Sequence, residues 1–496
     1  MTSPRHGSGT PARSRAFVIG CMAVALLAGP AFARPATRPE LEAKLRRCVV
    51  PGVPDSVLCG RLEVPEDRSA PGGRKVSLNV VVVPATGDSV RSDPLVFLAG
   101  GGVAPATRYA GFLARAFPRL RRDRDILLVD QRGTWGSQPL ACDGAEPLAD
   151  AAAALASLRR CRDSLASAAD LRMYTTAIAM DDLDQVRAWL GYDRLNLYGV
   201  SYGTKAAQVY IRQHPDRVRA AVLYGVVPLA LPTQLDLAAS AQATWARVCR
   251  ACAADSSCRA MTPDLKRDLD TLLAQLARRP MRVTTFGRPG APRTVDVTDR
   301  AVRDLVQGML GGSRPIERLP YLVHAAATGD LKPIGQALGD DGGPPAPPRG
   351  VFLCILCSEA MPQVDATAIE KATRGTFFGD FPVRWQLRQC AEWPRGPLPA
   401  GFWRPVSANV PVLAISGDLD PITPPRYAES VIRGFPSGRH VVVPNRSHND
   451  VDPCITSLFE SFLIAGSSTG LDTSCASLPH PLRFATSTGA GPADRR

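Results

Sequence analysis

The feature that most restricts this chain is Leu195-Asn196-Leu197-Tyr198-Gly199-Val200-Ser201-Tyr202-Gly203-Thr204, a short apolar run leading through Gly-Val-Ser-Tyr-Gly into the helical stretch Lys205 to Gln213. A sharp strand-to-helix turn forces its central residue into a strained backbone conformation, so the positions two before and two after must be nearly free of side chain. Such a turn lifts the Ser201 hydroxyl clear of a sheet and places it at a helix N-terminus. Backbone N–H groups there can meet an anion that develops nearby. The five-residue pattern is weak alone; the strand before it and the helix after it give it weight.

The rest of the chain supplies a sheet for that turn. Val76 to Val83 is apolar and β-branched, and Leu95 to Leu98 and Ile126 to Val129 are short, fully apolar runs of the kind buried in parallel sheets. The second of these ends in Gly100-Gly101-Gly102 and the third in Asp130-Gln131-Arg132-Gly133. Glycines at a strand's carboxyl end let backbone approach a ligand, and open α/β sheets bind ligands on that edge. Ala179, Leu183, Val186 and Leu190 place one buried stripe on a helix over Thr176 to Leu190, with Gly191 at its C′ position. Another strand follows over Ala220 to Val227. Strand and helix alternate, which predicts a mostly parallel, doubly wound α/β sheet.

The alternation stops near residue 229. The division expected is 34–228 as the first part of the sheet domain, 229–405 as an inserted and mainly helical lid, and 406–477 as the second part. That second part holds strands at Val410 to Ile415 and His440 to Val443, with helices near Arg426 to Phe435 and Ile455 to Ala465. Gly339 to Gly350 reads as a mobile Pro/Gly-rich loop, and 478–496 as a disordered tail without periodicity.

Residues 1–33 read as a secretory signal. Arg13 and Arg15 precede the apolar run Ala16 to Ala28, and Ala31-Phe32-Ala33 offers a small-x-small cleavage site. The run is too short for a comfortable membrane span, so a secreted or periplasmic protein without stable membrane insertion is expected. Setting Cys21 aside leaves twelve cysteines, which an oxidising compartment would pair. Cys48–Cys59, Cys142–Cys161 and Cys454–Cys475 are the sequence-near candidates. The connectivity of Cys249, Cys252, Cys258, Cys354, Cys357 and Cys390 stays open. Two Cys-x-x-Cys pairs, 249/252 and 354/357, admit a zinc reading, but disulfides account for them in an exported chain, and no metal is expected. The formal charge of +13 falls to about +10 without the leader's three arginines. The arginines are scattered apart from Arg119, Arg121, Arg122 and Arg124, and no basic stripe with a reading element points to nucleic acid.

A serine hydroxyl becomes a nucleophile only beside a base, and the base needs a third group to orient it. On such a sheet the order along the chain is Ser, acid, His. His214 and His324 precede the returning sheet, His440 opens a strand and His480 lies in the tail. His448 alone sits in a loop just past the last strand, and is the candidate base. The strand Val410 to Ile415 ends in Ser416-Gly417-Asp418-Leu419-Asp420-Pro421. The spacing favours Asp420 as the orienting acid, with Asp418 as runner-up; either could instead cap the next helix. The oxyanion donors expected are the N–H of Tyr202 and of Gly101, with Gly102 as alternate.

These stretches resemble the α/β-hydrolase serine peptidases of the proline iminopeptidase and tripeptidyl aminopeptidase group, particularly its secreted branch. Besides Gly-Val-Ser-Tyr-Gly-Thr, the matching segments are Leu-Glu-Val-Pro-Glu-Asp at 62–67, Asp-Gln-Arg-Gly-Thr at 130–134 and Asp-Leu-Asp-Gln-Val-Arg at 182–187. Gly-Asp-Leu-Asp-Pro-Ile-Thr-Pro-Pro at 417–425 and the paired C-terminal cysteines match as well. The likeness covers roughly residues 45 to 477 and is weakest in the lid. It implies an α/β-hydrolase fold and an exopeptidase that releases residues from the free N-terminus of short peptides, without metal or cofactor. Two departures stand out. Gly100-Gly101-Gly102-Val103 replaces the usual Gly-Gly-Pro-Gly, and Trp135 stands where a glycine usually follows Asp-Gln-Arg-Gly-Thr, placing a bulky ring near the expected pocket mouth.

An aminopeptidase must also hold a cationic amine, which a carboxylate does by a charge-assisted hydrogen bond. Glu359, in Cys357-Ser358-Glu359, is the candidate, since neighbouring cysteines could pin it; a solvated surface glutamate is the competing reading. Two rivals to the peptidase stand: an esterase or lipase-like acyl hydrolase with the same triad, and a non-catalytic binding protein on a hydrolase scaffold.

Overall fold

The computed structural model describes residues 38–101, 104–142, 150–286, 292–339, 348–448 and 450–487. The expected leader, the middle of the Gly339–Gly350 loop and the last nine residues lie outside them.

A nine-stranded sheet forms the frame. Its strands are β1 (Arg46–Cys48), β2 (Val57–Pro65), β3 (Lys75–Val83), β4 (Leu95–Leu98), β5 (Ile126–Val129), β6 (Leu195–Val200) and β7 (Val218–Tyr224). A separate antiparallel hairpin follows, β8 (Met281–Phe286) with β9 (Pro292–Val297), before β10 (Val412–Gly417) and β11 (Arg439–Val443) return to the sheet. The order is β1-β2-β3-β5-β4-β6-β7-β10-β11. The first three strands pair antiparallel, and from β5 to β11 every pairing is parallel.

Both faces of the sheet are covered, so its strands read as continuous apolar runs. Successive residues alternate between two cores. Val80, Val82, Leu195, Leu197, Val412 and Ala414 face the helices Thr176–Leu190 and Tyr202–Gln213. Val81, Val83, Tyr198, Leu413 and Ile415 face Ala110–Ala116 and Pro453–Ala465. On that side Phe459 packs against Tyr198 and Tyr224, with ring centroids 5.0 and 5.9 Å away. The stripe Ala179, Leu183, Val186 and Leu190 is buried as its spacing predicts, and Gly191 caps the helix at φ 81°.

Three of the segments quoted above meet in one buried knot. The fully buried Arg132 guanidinium donates to both Asp182 oxygens at 2.6 and 2.8 Å and to the carbonyl of Glu66 at 2.8 Å. Asp130 accepts from Asn79 Nδ2 at 2.8 Å and from the Thr107 amide at 3.0 Å. A bidentate arginine pair satisfied on every side fixes the geometry of the loop after β5, and loss of one partner in such a pair costs about 3–5 kcal/mol.

Between β7 and β10 lie the long helices Thr233–Ala254, Leu265–Arg278, Asp299–Met309 and Ser313–Ala327, together with the β8–β9 hairpin. They close a third core around Trp245, Leu269, Leu272, Val306 and Leu319. Residues 478–487, expected to be part of a disordered tail, instead run along this core. Leu482 and Phe484 pack on it, and the amides of Arg483 and Ala485 donate to Oε1 and the backbone O of Glu317. Ala485 is buried. The segment lacks periodicity because it is placed by the surface beneath it rather than by its own hydrogen bonds.

The three sequence-near disulfides form, Cys48–Cys59, Cys142–Cys161 and Cys454–Cys475. Two more join Cys252 to Cys258 and Cys357 to Cys390, leaving Cys249 and Cys354 as thiols. Full pairing of the twelve was therefore too simple an expectation. Each Cys-x-x-Cys pair gives one sulfur to a bridge with a third cysteine, which removes the zinc reading. Five disulfides fit a chain that folds in an oxidising compartment.

Candidate active site

Ser201 ends β6 with φ 53° and ψ −120°, outside the regions that residues with a Cβ normally occupy. Such a conformation costs about 1–3 kcal/mol and persists only when its surroundings hold it. Here the Ser201 amide donates to the Tyr224 carbonyl of β7 at 2.9 Å, and its own carbonyl accepts from the Thr204 hydroxyl at 2.6 Å. The flanking glycines answer to close approach. A Cβ at Gly203 would overlap the Leu98 carbonyl, and one at Gly199 would press against Gly203. A second Gly-x-Ser-x-Gly, at 466–470, follows the helix Pro453–Ala465 instead of a strand, and its Ser468 has no such setting.

The candidate acid and base lie in the loops after β10 and β11. His448 Nδ1 lies 2.8 Å from Asp420 Oδ2, and both residues are buried. Thr423, which the sequence reading missed, bridges them: its hydroxyl is 2.5 Å from Asp420 Oδ2 and 2.9 Å from His448 Nδ1. Asp420 Oδ1 accepts from the amides of Ile422 and Thr423, each at 2.8 Å, in the turn ahead of the helix Pro425–Ile432, whose cap residue Pro424 has no side-chain cap, so Asp420 does not cap that helix. Burial alone would raise the Asp420 pKa. Attraction to His448 and these hydrogen bonds outweigh it, and the carboxyl is held below the ordinary 3.8.

Asp418 takes another place: Oδ1 accepts from the Asn445 amide at 2.6 Å and Oδ2 pairs with Arg247 at 2.7 Å. The imidazole stands over the end of β7, since a Cβ on Gly225 would lie 3.1 Å from His448 Cε1. Gly225 directly follows Tyr224, which holds the Ser201 amide. The other histidines of strands and helices have structural partners, His214 with Asp181, His324 with Asp268 and His440 with Ser416.

Tyr202 opens the helix Tyr202–Gln213, and as its first residue has an amide without an intrahelical acceptor. The loop after β4 lies against the same point: a Cβ on Gly100 would come within 3.1 Å of Ser201 Cβ, and Gly101 has φ 64°. Gly102, the alternate donor, lies outside the described residues.

Ser201 and Thr423 open onto one cavity of about 260 Å³. Its walls are mostly apolar, including Val227 just before the insertion, Leu237 within it, and Phe352, Ile355 and Leu356 opposite. Among the described residues, Lys205 is the one charged side chain of its lining. Lys205 stands four residues past the nucleophile on the same helix face, a spacing visible in the sequence but not used.

Two expected site residues fall elsewhere. Glu359 has no exposed surface, because the wide π-helical turn Leu356–Ala360 points it inward. Its oxygens accept from the Thr176 amide at 2.6 Å and hydroxyl at 2.8 Å, and Lys205 Nζ is 3.5 Å away. The disulfide Cys357–Cys390 does pin this turn, but it pins the carboxylate into the interior rather than toward a substrate amine. Burial raises the Glu359 pKa against the pull of Lys205 and Thr176. Trp135 is 49% exposed and is not part of the cavity lining, because the knot at Arg132 turns its loop outward.

The alpha/beta hydrolase fold family matches residues 93–283, and the TAP-like protein family matches 376–475. Over 92% of its length the chain is 26% identical to the serine protease Hip1 of Mycobacterium tuberculosis, covering 95% of that protein. It is 24% identical to the tripeptidyl aminopeptidase of Streptomyces coelicolor, over 86% of this chain and 84% of the relative. A probable proline iminopeptidase of the same organism is 34% identical over 118 residues, 23% of this chain and 29% of the relative. A strained serine on the elbow of a mostly parallel sheet, and matches on both sides of the insertion, lead to one statement: the chain is a serine hydrolase with an α/β-hydrolase fold, similar to serine peptidases built on that fold.

Proposed function

We propose that this protein is an exported exopeptidase that cleaves short peptides near their free N-terminus, with Ser201, His448 and Asp420 as its catalytic triad. The observation that carries the proposal is the buried 2.8 Å contact from His448 Nδ1 to Asp420, beside a serine held at φ 53°. With Nδ1–H donated to Asp420, Nε2 is left as the basic nitrogen. Ser201 Oγ attacks the scissile carbonyl carbon and its proton passes to His448 Nε2. The amides of Tyr202 and Gly101 hold the oxyanion. His448 then protonates the departing amine, and water hydrolyses the acyl-enzyme by the same steps. The N-terminal preference is supported by the relatives named as tripeptidyl aminopeptidase and proline iminopeptidase. Export, with cleavage near Ala33 into the periplasm or medium, is supported by the leader pattern and the disulfides.

A second reading, an acyl-ester hydrolase, is favoured by the cavity itself. Among the described residues its lining offers Lys205 and no carboxylate for an amine. One panel separates the two: free and N-acetylated short peptides beside p-nitrophenyl esters, with fluorophosphonate labelling of Ser201 as the control for a working nucleophile. Cleavage of free-amine peptides, lost on acetylation, is the expected result. Ester turnover without cleavage of any unblocked peptide rejects the exopeptidase.

A further inference from the structure

The loops that carry Asp420 and His448 are gripped by the lid at two places, and neither grip belongs to the triad. On one side Arg247, from the lid helix Thr233–Ala254, pairs with Asp418 Oδ2 at 2.7 Å and also reaches the Asp418 carbonyl. Asp418 Oδ1 in turn holds the Asn445 amide, three residues before His448. On the other side the Asp450 carboxylate accepts from two backbones at once. The Ser313 amide, first in the lid helix Ser313–Ala327, meets both its oxygens at 3.1 Å, and the Ser447 amide meets Oδ2 at 2.7 Å. Ser447, directly before His448, sends its hydroxyl to the lid carbonyl of Leu310 at 2.6 Å. The Tyr224 hydroxyl holds the Asp450 carbonyl from beneath.

A carboxylate at a helix N-terminus is favoured by the unpaired amides and the helix dipole, so Asp450 is bound to the lid by the strongest kind of contact that end offers. The same carboxylate fixes the peptide that enters His448. Because a nucleophile and its base must keep their geometry to a fraction of an ångström, a shift of this clamp would be felt in the chemical step.

We propose that Asp450 is a positioning residue through which the seating of the lid sets the orientation of His448. The inference rests on His448 being the base, and adds that the lid, besides walling the cavity, holds that base in register. A lid displaced from Ser313 and Leu310 leaves His448 poorly aligned with Ser201 even while the cavity can still admit substrate.

The most direct test removes the lid's side of the clamp and leaves Asp450 intact. Ser313→Pro deletes one N–H at the first helical position, where proline is well tolerated, and Gly312 before it already has the extended backbone that a proline requires (φ −151°, ψ 144°). Asp450→Ala removes the clamp altogether. Expected for Ser313→Pro is a kcat lowered about tenfold with KM changed less than twofold, and a larger fall for Asp450→Ala. The downfield proton resonance of the His448 Nδ1–H to Asp420 bond should weaken or move in both. Helix content and thermal midpoint check that each variant is folded. Loss of activity in Asp450→Ala with none in Ser313→Pro overturns the link to the lid. Unchanged kcat and an unchanged resonance in both overturn the role of Asp450. His448→Ala tests the underlying reading separately: if it retains activity the base assignment fails, whatever the other two show.

Discussion

Asp420 and Glu359 are carboxylates with almost no exposed surface, one at the edge of the sheet and one in the lid, and their surroundings drive them in opposite directions. Asp420 is met by two amides, a hydroxyl and an imidazole, all within 2.8 Å, and its pKa falls despite burial. Glu359 is met by one threonine at close range and by Lys205 only at 3.5 Å, and its pKa rises. The difference teaches that burial alone does not mark a functional acid. What separates them is whether the ionised form has enough partners to replace water.

The largest effect expected from this contrast is catalytic. Asp420→Asn should lower kcat by about 10⁴, the scale seen when a triad acid is neutralised with its geometry kept. Asp418→Asn, which loses an ion pair with a partly exposed arginine, should cost far less. Steady-state assays of the two variants side by side decide the matter, and equal losses would reject Asp420 as the orienting group.

Next in size is stability. Lys205→Met strands the Glu359 carboxylate in the interior and should cost about 3–5 kcal/mol in denaturant unfolding. The double variant Lys205→Met with Glu359→Gln should recover most of that. Since Glu359 does not face the cavity, any rise in KM for Glu359→Gln should be the same for free and N-acetylated substrates. A selective rise for free amines would restore the amine-binding role that its burial argues against.

The smallest effect is in pH dependence, where the two acids should show opposite signs. The lowered Asp420 pKa contributes stability that is complete above about 3.8 and lost as pH falls through the lower folded value. The wild type should therefore lose ground to Asp420→Asn on acidification below about 3.8. For Glu359 the folded pKa lies above the ordinary 4.5, so the folded state holds its proton longer. Relative to Glu359→Gln, the wild type should lose stability as pH rises from about 4.5. Urea midpoints measured across pH 3 to 7 check both slopes, and slopes of the same sign would break the comparison.

The same two regions differ in how plainly the sequence announces them. At the sheet edge the constraints are local. Gly199 and Gly203 flank Ser201 because neighbouring backbone leaves no room, and Asp420 and His448 follow within a few residues of the ends of β10 and β11. Cys48–Cys59, Cys142–Cys161 and Cys454–Cys475 were legible from proximity in sequence, whereas Cys252–Cys258, closer still, was not, because Cys249 competes for the same partner. In the lid, placement depends on surfaces brought from elsewhere in the chain. Nothing in Cys357-Ser358-Glu359 says that the turn points inward to Thr176, and nothing near Leu482 and Phe484 says that they lie on the lid. Thr423 sat inside a quoted motif yet passed unnoticed, since its hydroxyl acquires a role only when Asp420 and His448 meet around it. Trp135 lies outside the cavity lining, and its loop follows the buried Arg132, whose partners are 41 to 67 residues away in the chain.

β7 and β10 are neighbours in the sheet, although the entire insertion separates them in the chain. The polypeptide thus departs and re-enters at nearly one spot, the arrangement that lets nature or an engineer exchange an inserted module without disturbing its host. Asp418 and Asp450 limit that freedom. A transplanted module that reshaped the cavity would inherit two acidic sockets on the host, and only one bringing a suitable cation and a suitably placed helix start would fill them.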